Sequence, residues 1–253
     1  MTDLSLGRRV RRGFLRTIVV VVLVVVLVVV AFLFYASMVM RGERGPAIAV
    51  FENPAVEVTS TDHSIVLSPT GAASGDGLVF IPGAKVDPYA YMFTLSGIVE
   101  TSGATVVITK PTLNLAFFDQ RPLSTFTADA PDVDQWFVGG HSLGGVRACQ
   151  LADAPDVAGL VLFGSYCAND LSATDLEVLS ISGSDDGLST PEKIQAAASE
   201  LPAGATFVQI AGANHARFGN YGVQSGDGVA TISSDNMRDE ITRALVGFFD
   251  APR

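Results

Sequence analysis

The chain has 253 residues and a formal charge of −10, room for one α/β domain around a buried sheet and little more. The charge is unevenly spread: residues 45–253 hold nine basic side chains against 24 acidic ones, a formal −15. Such a surface repels phosphate, which argues against nucleic acid or any polyanion as a partner.

Residues 1–16 run the other way, with Arg8, Arg9, Arg11, Arg12 and Arg16 against Asp3 alone. From Ile18 to Tyr35 no side chain is charged, and the weakly polar stretch continues to Met40. At about 1.5 Å per residue that run crosses most of a bilayer's hydrocarbon core, so residues 17–40 are expected to be a transmembrane signal anchor. Valine dominates it, but in lipid only a helix satisfies the backbone. A cleaved secretory signal is the rival, with a shorter apolar region and an A-x-A-like site, and Tyr35-Ala36-Ser37-Met38 offers no clean one. The arginines before the segment put 1–16 in the cytoplasm and the chain after Met40 outside. Residues 41–54, with Gly42, Gly45, Pro46 and Pro54, read as a stalk, and 55–253 as the main domain.

In that domain Val56–Thr59 and Ser64–Leu67 have strand composition and suggest an antiparallel hairpin. Leu78–Ile81 then opens an alternation of short apolar runs and helical stretches. The runs are Leu78–Ile81, Ala104–Ile108, Gln135–Val138, Ala158–Phe163, Glu177–Ile181 and Thr206–Ile210. Helices are expected near Tyr89–Ser102, Leu143–Asp153 and Thr190–Leu201, and Asp235–Phe249 is a closing amphipathic helix. Such an alternation means a mostly parallel sheet covered on both faces. Residues 117–134 form the longest stretch without periodicity.

Gly140-His141-Ser142-Leu143-Gly144 fits G-x-S-x-G. With 25 glycines the bare pattern is weak evidence, and a plain glycine-rich turn is its bland reading. Its position after an apolar strand and before a helix is the nucleophile-elbow setting. There the turn is too tight for side chains at Gly140 and Gly144, Ser142 is lifted clear, and the Leu143 amide points at the same space from the helix N-terminus. Three histidines are candidates for a base. His141 sits inside the elbow, His63 in the hairpin, and His215 in Gly212-Ala213-Asn214-His215 after the last strand, where loops converge at the sheet's C-terminal edge. His215 is the choice. An orienting acid is expected after the strand ending at Ile181, where Asp185 and Asp186 are not separated by spacing and Asp170 and Asp175 are fallbacks.

These features resemble the α/β-hydrolase family, in particular small lidless serine hydrolases of esterase type. The residues that carry the resemblance are Val79–Val86, Gly139–Gly145, Ile181–Gly187 and Gly212–His215, within roughly 55–253. The resemblance implies the α/β-hydrolase fold, and it selects Asp186, three residues after the glycine that closes its strand. It also implies that the Ala84 amide joins that of Leu143 as an oxyanion donor, with Gly83 the alternative because Pro82-Gly83 stands where many members carry His-Gly. The implied chemistry is hydrolysis of a small carboxylic ester through an acyl-enzyme, with Ser142 as nucleophile, His215 as base and Asp186 as orienter. No cofactor or metal is expected, since no His/Cys/Asp cluster has ligand spacing. Lactones, thioesters and amides are rival substrates, and a non-catalytic binding module is the rival of another class. The interval 164–176 is too short for a helical cap.

Cys149 and Cys167 complete the reading. Cys149 lies about 10 Å down its helix from the elbow, and Cys167 follows a strand end at the sheet's upper edge. A bridge needs Cα atoms within about 7 Å, so two free thiols are expected.

Overall fold

The computed structural model describes residues 3–251, with the side chains of 3–10 and 12 left undescribed. The chain divides into two units after Met38.

The first unit is helix α1 (Asp3–Ser37). Within it Gly13–Ser37 is long and apolar enough to cross a membrane. Every side chain from Ile18 to Val30 is exposed, so the helix buries no apolar stripe of its own there.

The second unit begins with α2 (Arg44–Phe51), where a stalk was expected. Pro46 sits in its first turn, which has no need of that N–H, so proline starts this helix instead of preventing it. Val50 is fully buried in the main core, which supplies the stability that periodicity did not reveal.

Strands β1 (Val56–Ser60) and β2 (Ser64–Pro69) form the antiparallel hairpin. They are followed by β3 (Asp76–Ile81), α3 (Met92–Ser102), β4 (Thr105–Thr109), the single turn α4 (Ser124–Thr127), β5 (Gln135–His141) and α5 (Leu143–Leu151). Then come β6 (Val157–Phe163), β7 (Glu177–Gly183), α6 (Pro191–Ala196), β8 (Thr206–Ile210) and α7 (Ser234–Phe249). The eight strands make one sheet in the order β1-β2-β4-β3-β5-β6-β7-β8, parallel from β4 onward. The order reverses between β3 and β5, so the loops after these two strands diverge and leave a crevice at their C-terminal ends.

Alternation along each strand sorts the core into two faces. Leu78, Phe80, Phe137, Val161 and Phe163 pack with Leu95 and Ile98 of α3 and with Ile241 and Leu245 of α7. Ile81, Val138, Leu160 and Leu162 pack against Ala148 and Cys149 of α5. Helix α7 is capped by Ser233, whose side chain accepts from the Asn236 amide.

The stretch 117–134 is not a loose flap. Phe126 is buried against Val66, Val79 and Val107, and the Arg121–Asp119 ion pair and the Arg121 bond to the Lys110 carbonyl pin its start to the end of β4.

The expectation of free thiols is overturned. Cys149 and Cys167 are disulfide-bonded with Cα atoms 5.6 Å apart. Cys149 lies in α5, but the chain after β6 does not stay at the upper edge. It turns at Gly164 (φ 47°) and descends beside α5, where Asn169 Nδ2 donates to the Cys149 carbonyl.

Candidate active site

Strand β5 delivers its last residues between β3 and β6 and then reverses into α5. Ser142 takes φ 52°, ψ −124°, a conformation that costs an L-residue on the order of 1–3 kcal/mol. The turn is held from several sides. The Ser142 amide donates to the Phe163 carbonyl at 3.1 Å, and Ser165 Oγ donates to the Ser142 carbonyl at 2.7 Å. Side chains are excluded where the sequence places glycine. A Cβ on Gly140 would lie 2.5 Å from the Gly144 carbonyl carbon, and one on Gly144 would strike the carbonyls of Ile81 and Pro82.

His215 opens a short 3-10 turn after β8, capped by the Asn214 side chain accepting from the Arg217 amide. Its Nδ1 is 2.8 Å from Asp186 Oδ2, and both side chains are almost wholly buried. The other oxygen of Asp186 accepts from the amides of Leu188 at 2.8 Å and Ser189 at 2.7 Å. This carboxylate is therefore fixed on both oxygens. Asp185 instead takes a bond from Ser184 Oγ and is half-buried, and Asp170 accepts from the Ser172 amide. Of the four acids considered, the structure brings Asp186 to His215. His63 is exposed in the hairpin turn beside Arg121.

His141 is neither exposed nor directed at the acid. Its ring is buried, with its centroid 4.4 Å from that of His215, and its Nδ1 is 2.8 Å from Tyr91 Oη. Tyr91 Oη in turn accepts from the Gly83 amide at 3.0 Å. Burial raises the Tyr91 pKa far above the usual tyrosine range, so the phenol keeps its proton and donates it to His141 Nδ1. Burial, reinforced by the neighbouring His215, holds His141 well below the ordinary 6.5, so it is neutral with its proton on Nε2. That Nε2 has no partner among the described residues, the His215 backbone lying close but outside hydrogen-bond geometry. Sequence reading missed Tyr91, which lies 50 residues from His141 and carries no motif of its own.

The Gly83 contact bears on the two amides in the loop after β3. Gly83 N–H is used by Tyr91, whereas the Ala84 N–H has no acceptor among the described residues. The loop is anchored on either side: the Lys85 amide donates to the Asn114 carbonyl at 2.7 Å, and Met40 donates to the Lys85 carbonyl at 2.7 Å.

A glycine-braced strained serine between a parallel strand and a helix, with a buried acid–histidine pair on later loops, defines the architecture of serine hydrolases of the α/β type. The sequence profile of the alpha/beta hydrolase family matches residues 77–239, more than half of the chain, and the chain belongs to that family. No curated protein matches it in sequence. Among solved structures it is similar to Est1E from Butyrivibrio proteoclasticus, at 10% identity and TM-score 0.52, over 78% of this chain and 100% of that one. It is similar to the esterase domain of a Rhodothermus marinus protein, at 14% identity and TM-score 0.56, over 77% and 98%. It is also similar to a bacterial membrane phospholipase A described as a virulence factor, at 14% identity and TM-score 0.54, over 96% and 100%. At these identities the likeness is one of fold.

Proposed function

We propose that the chain is a serine hydrolase of small carboxylic esters, working through an acyl-enzyme on Ser142. The observation that carries this reading is the buried 2.8 Å Asp186–His215 pair on the loops after β7 and β8, beside an elbow whose serine sits at φ 52°. His215 takes the Ser142 proton as the hydroxyl attacks the ester carbonyl, and Asp186 holds the tautomer and stabilises the imidazolium. The amides of Leu143 and Ala84 stabilise the oxyanion. The alcohol leaves with the proton from His215, and water, activated by the same base, releases the acid. No cofactor enters this scheme.

In the same reading residues 17–40 anchor the chain in the cell membrane, 1–16 stay in the cytoplasm, and the catalytic domain lies outside. The Cys149–Cys167 bridge supports that side, because disulfides persist in oxidising compartments. The interval 164–176 contains no helix, so a membrane surface has no cap there to open.

The test uses the full chain in detergent micelles. A fluorophosphonate should label Ser142 stoichiometrically, and nitrophenyl esters of rising chain length should show ordinary saturation on both sides of their solubility limit. Absence of labelling on a folded chain would leave a binding module as the reading. A rate jump at emulsion onset would mean that a lid exists.

A further inference from the structure

The loop between β8 and α7 carries a carboxylate that no catalytic motif contains. Asp227 Oδ1 accepts from the Gly187 amide at 3.1 Å, the His215 amide at 3.0 Å and its own neighbour Gly228 at 2.7 Å. Its Oδ2 accepts from the Ala216 amide at 2.8 Å. Gly187 directly follows the acid, and His215 and Ala216 are the base and its neighbour. One carboxylate thus spans both loops whose side chains must meet.

The backbones are fitted to this arrangement. A Cβ on Gly187 would come within 2.8 Å of the Gly228 nitrogen, and one on Gly228 would strike the Asp185 carbonyl. Asn214 Nδ2 donates to the Gly228 carbonyl at 2.8 Å, closing the clasp from the base side. Asp227 bonds neither the Asp186 nor the His215 side chain, so whatever it does passes through main chain.

We infer that Asp227 is a positioning residue: it fixes the spacing between the acid loop and the base loop, and so the alignment of the Asp186–His215 hydrogen bond. The inference rests on the proposed triad. Its physical basis is that Asp227 takes the amides nearest the pair on both loops, whereas the other ties between them, Ser184 Oγ accepting from the Gly212 amide at 2.8 Å and the Asp185 amide donating to the Ala213 carbonyl at 2.9 Å, lie on the far side of Asp186 and His215. Without Asp227 the amides of Gly187, His215 and Ala216 lose their partner, and the segments next to the acid and the base can shift about the ties that remain at Ser184–Gly212 and Asp185–Ala213. A misplacement of about 1 Å at such a pair is worth up to about 100-fold in rate.

The test compares the full chain in micelles with Asp227→Ala, Asp227→Asn and Ser142→Ala, counting active sites by fluorophosphonate burst. Asp227→Ala should lower kcat per titrated site about 30-fold on a nitrophenyl ester with KM changed less than about twofold. The far-downfield proton resonance of the Asp186–His215 bond should broaden or vanish. Asp227→Asn should recover part of the rate, because its amide oxygen can keep the three Oδ1 bonds while its NH₂ confronts Ala216 N–H. Should the alanine variant fail to fold, the asparagine variant carries the test in the same direction. A fall in melting temperature and in titratable sites, with kcat per site and the downfield resonance unchanged, would overturn the positioning role. Full activity in Ser142→Ala would instead sink the triad, while the resonance still reports whether Asp227 sets the Asp186–His215 bond.

Discussion

The two sides of Ser142 are built on opposite electrostatic plans. On the base side, ions hold the chain: Asp186 and Asp227 together accept six main-chain amides and one imidazole. On the oxyanion side the brace is a neutral, buried relay from Gly83 N–H through Tyr91 to His141. The difference follows from what each side must do. In the proposed mechanism His215 gains a proton in every acylation, and Asp186 beside its ring favours that cation while Asp227 holds the main chain. In the same proposal the oxyanion donors must stay uncommitted until charge develops, and a carboxylate there would capture them. A phenol and a neutral imidazole fix the loop through Gly83 and leave the next amide available.

The largest effects expected are on the base side. Ser142→Ala or His215→Ala should lower kcat on a small ester about 10⁶-fold, since members of such a unit fail together. Asp186→Asn should cost about 10⁴-fold by favouring the wrong tautomer, and Asp185→Asn almost nothing. Steady-state kinetics of the purified full chain decides it, and a damaging Asp185→Asn would show that the acid has been misassigned.

The oxyanion side should respond less. Tyr91→Phe removes the acceptor of Gly83 N–H and the donor to His141 but no oxyanion donor, so kcat should fall about 10-fold with KM little changed, well short of the loss of a whole donor. An unchanged kcat per titrated site would mean that the loop needs no such brace.

The smallest effect concerns protons. His141 is held well below its ordinary 6.5 when folded, so above that pH both states are neutral and no stability is lost. As pH falls below 6.5 the unfolded chain binds a proton that the folded chain refuses, and stability drops by up to about 1.4 kcal/mol per pH unit until the folded value is reached. Urea unfolding at pH 7.5 and 5.5 should show the natural chain losing about 1 kcal/mol more than His141→Gln over that interval. Equal losses in the two chains would show that the relay is not neutral.

Much of this site was legible in advance because it depends on local steric rules. A serine between two glycines, after an apolar run and before a helix, has few conformations, and the structure adopts the elbow. His215 stood out as the histidine on a C-terminal-edge loop. Asp227 did not stand out, since an aspartate between two glycines in a polar loop looks like any solvated turn, and its acceptors' partners lie 11, 12 and 40 residues away.

The sequence by itself determined the alternation of strands and helices, the anchor-like apolar run, the elbow and the candidate histidine on the loop after the last strand. Each of these is written in periodicity or in steric need within a few neighbouring residues. The tertiary structure alone decided that Asp186 and not Asp185 meets His215, that Gly83 is claimed by Tyr91 while Ala84 is not, and that residues 44–51 are a helix. It also decided that Cys149 reaches Cys167. All of these depend on where a loop turns after it leaves its strand, and that direction is set by packing against elements distant in the chain.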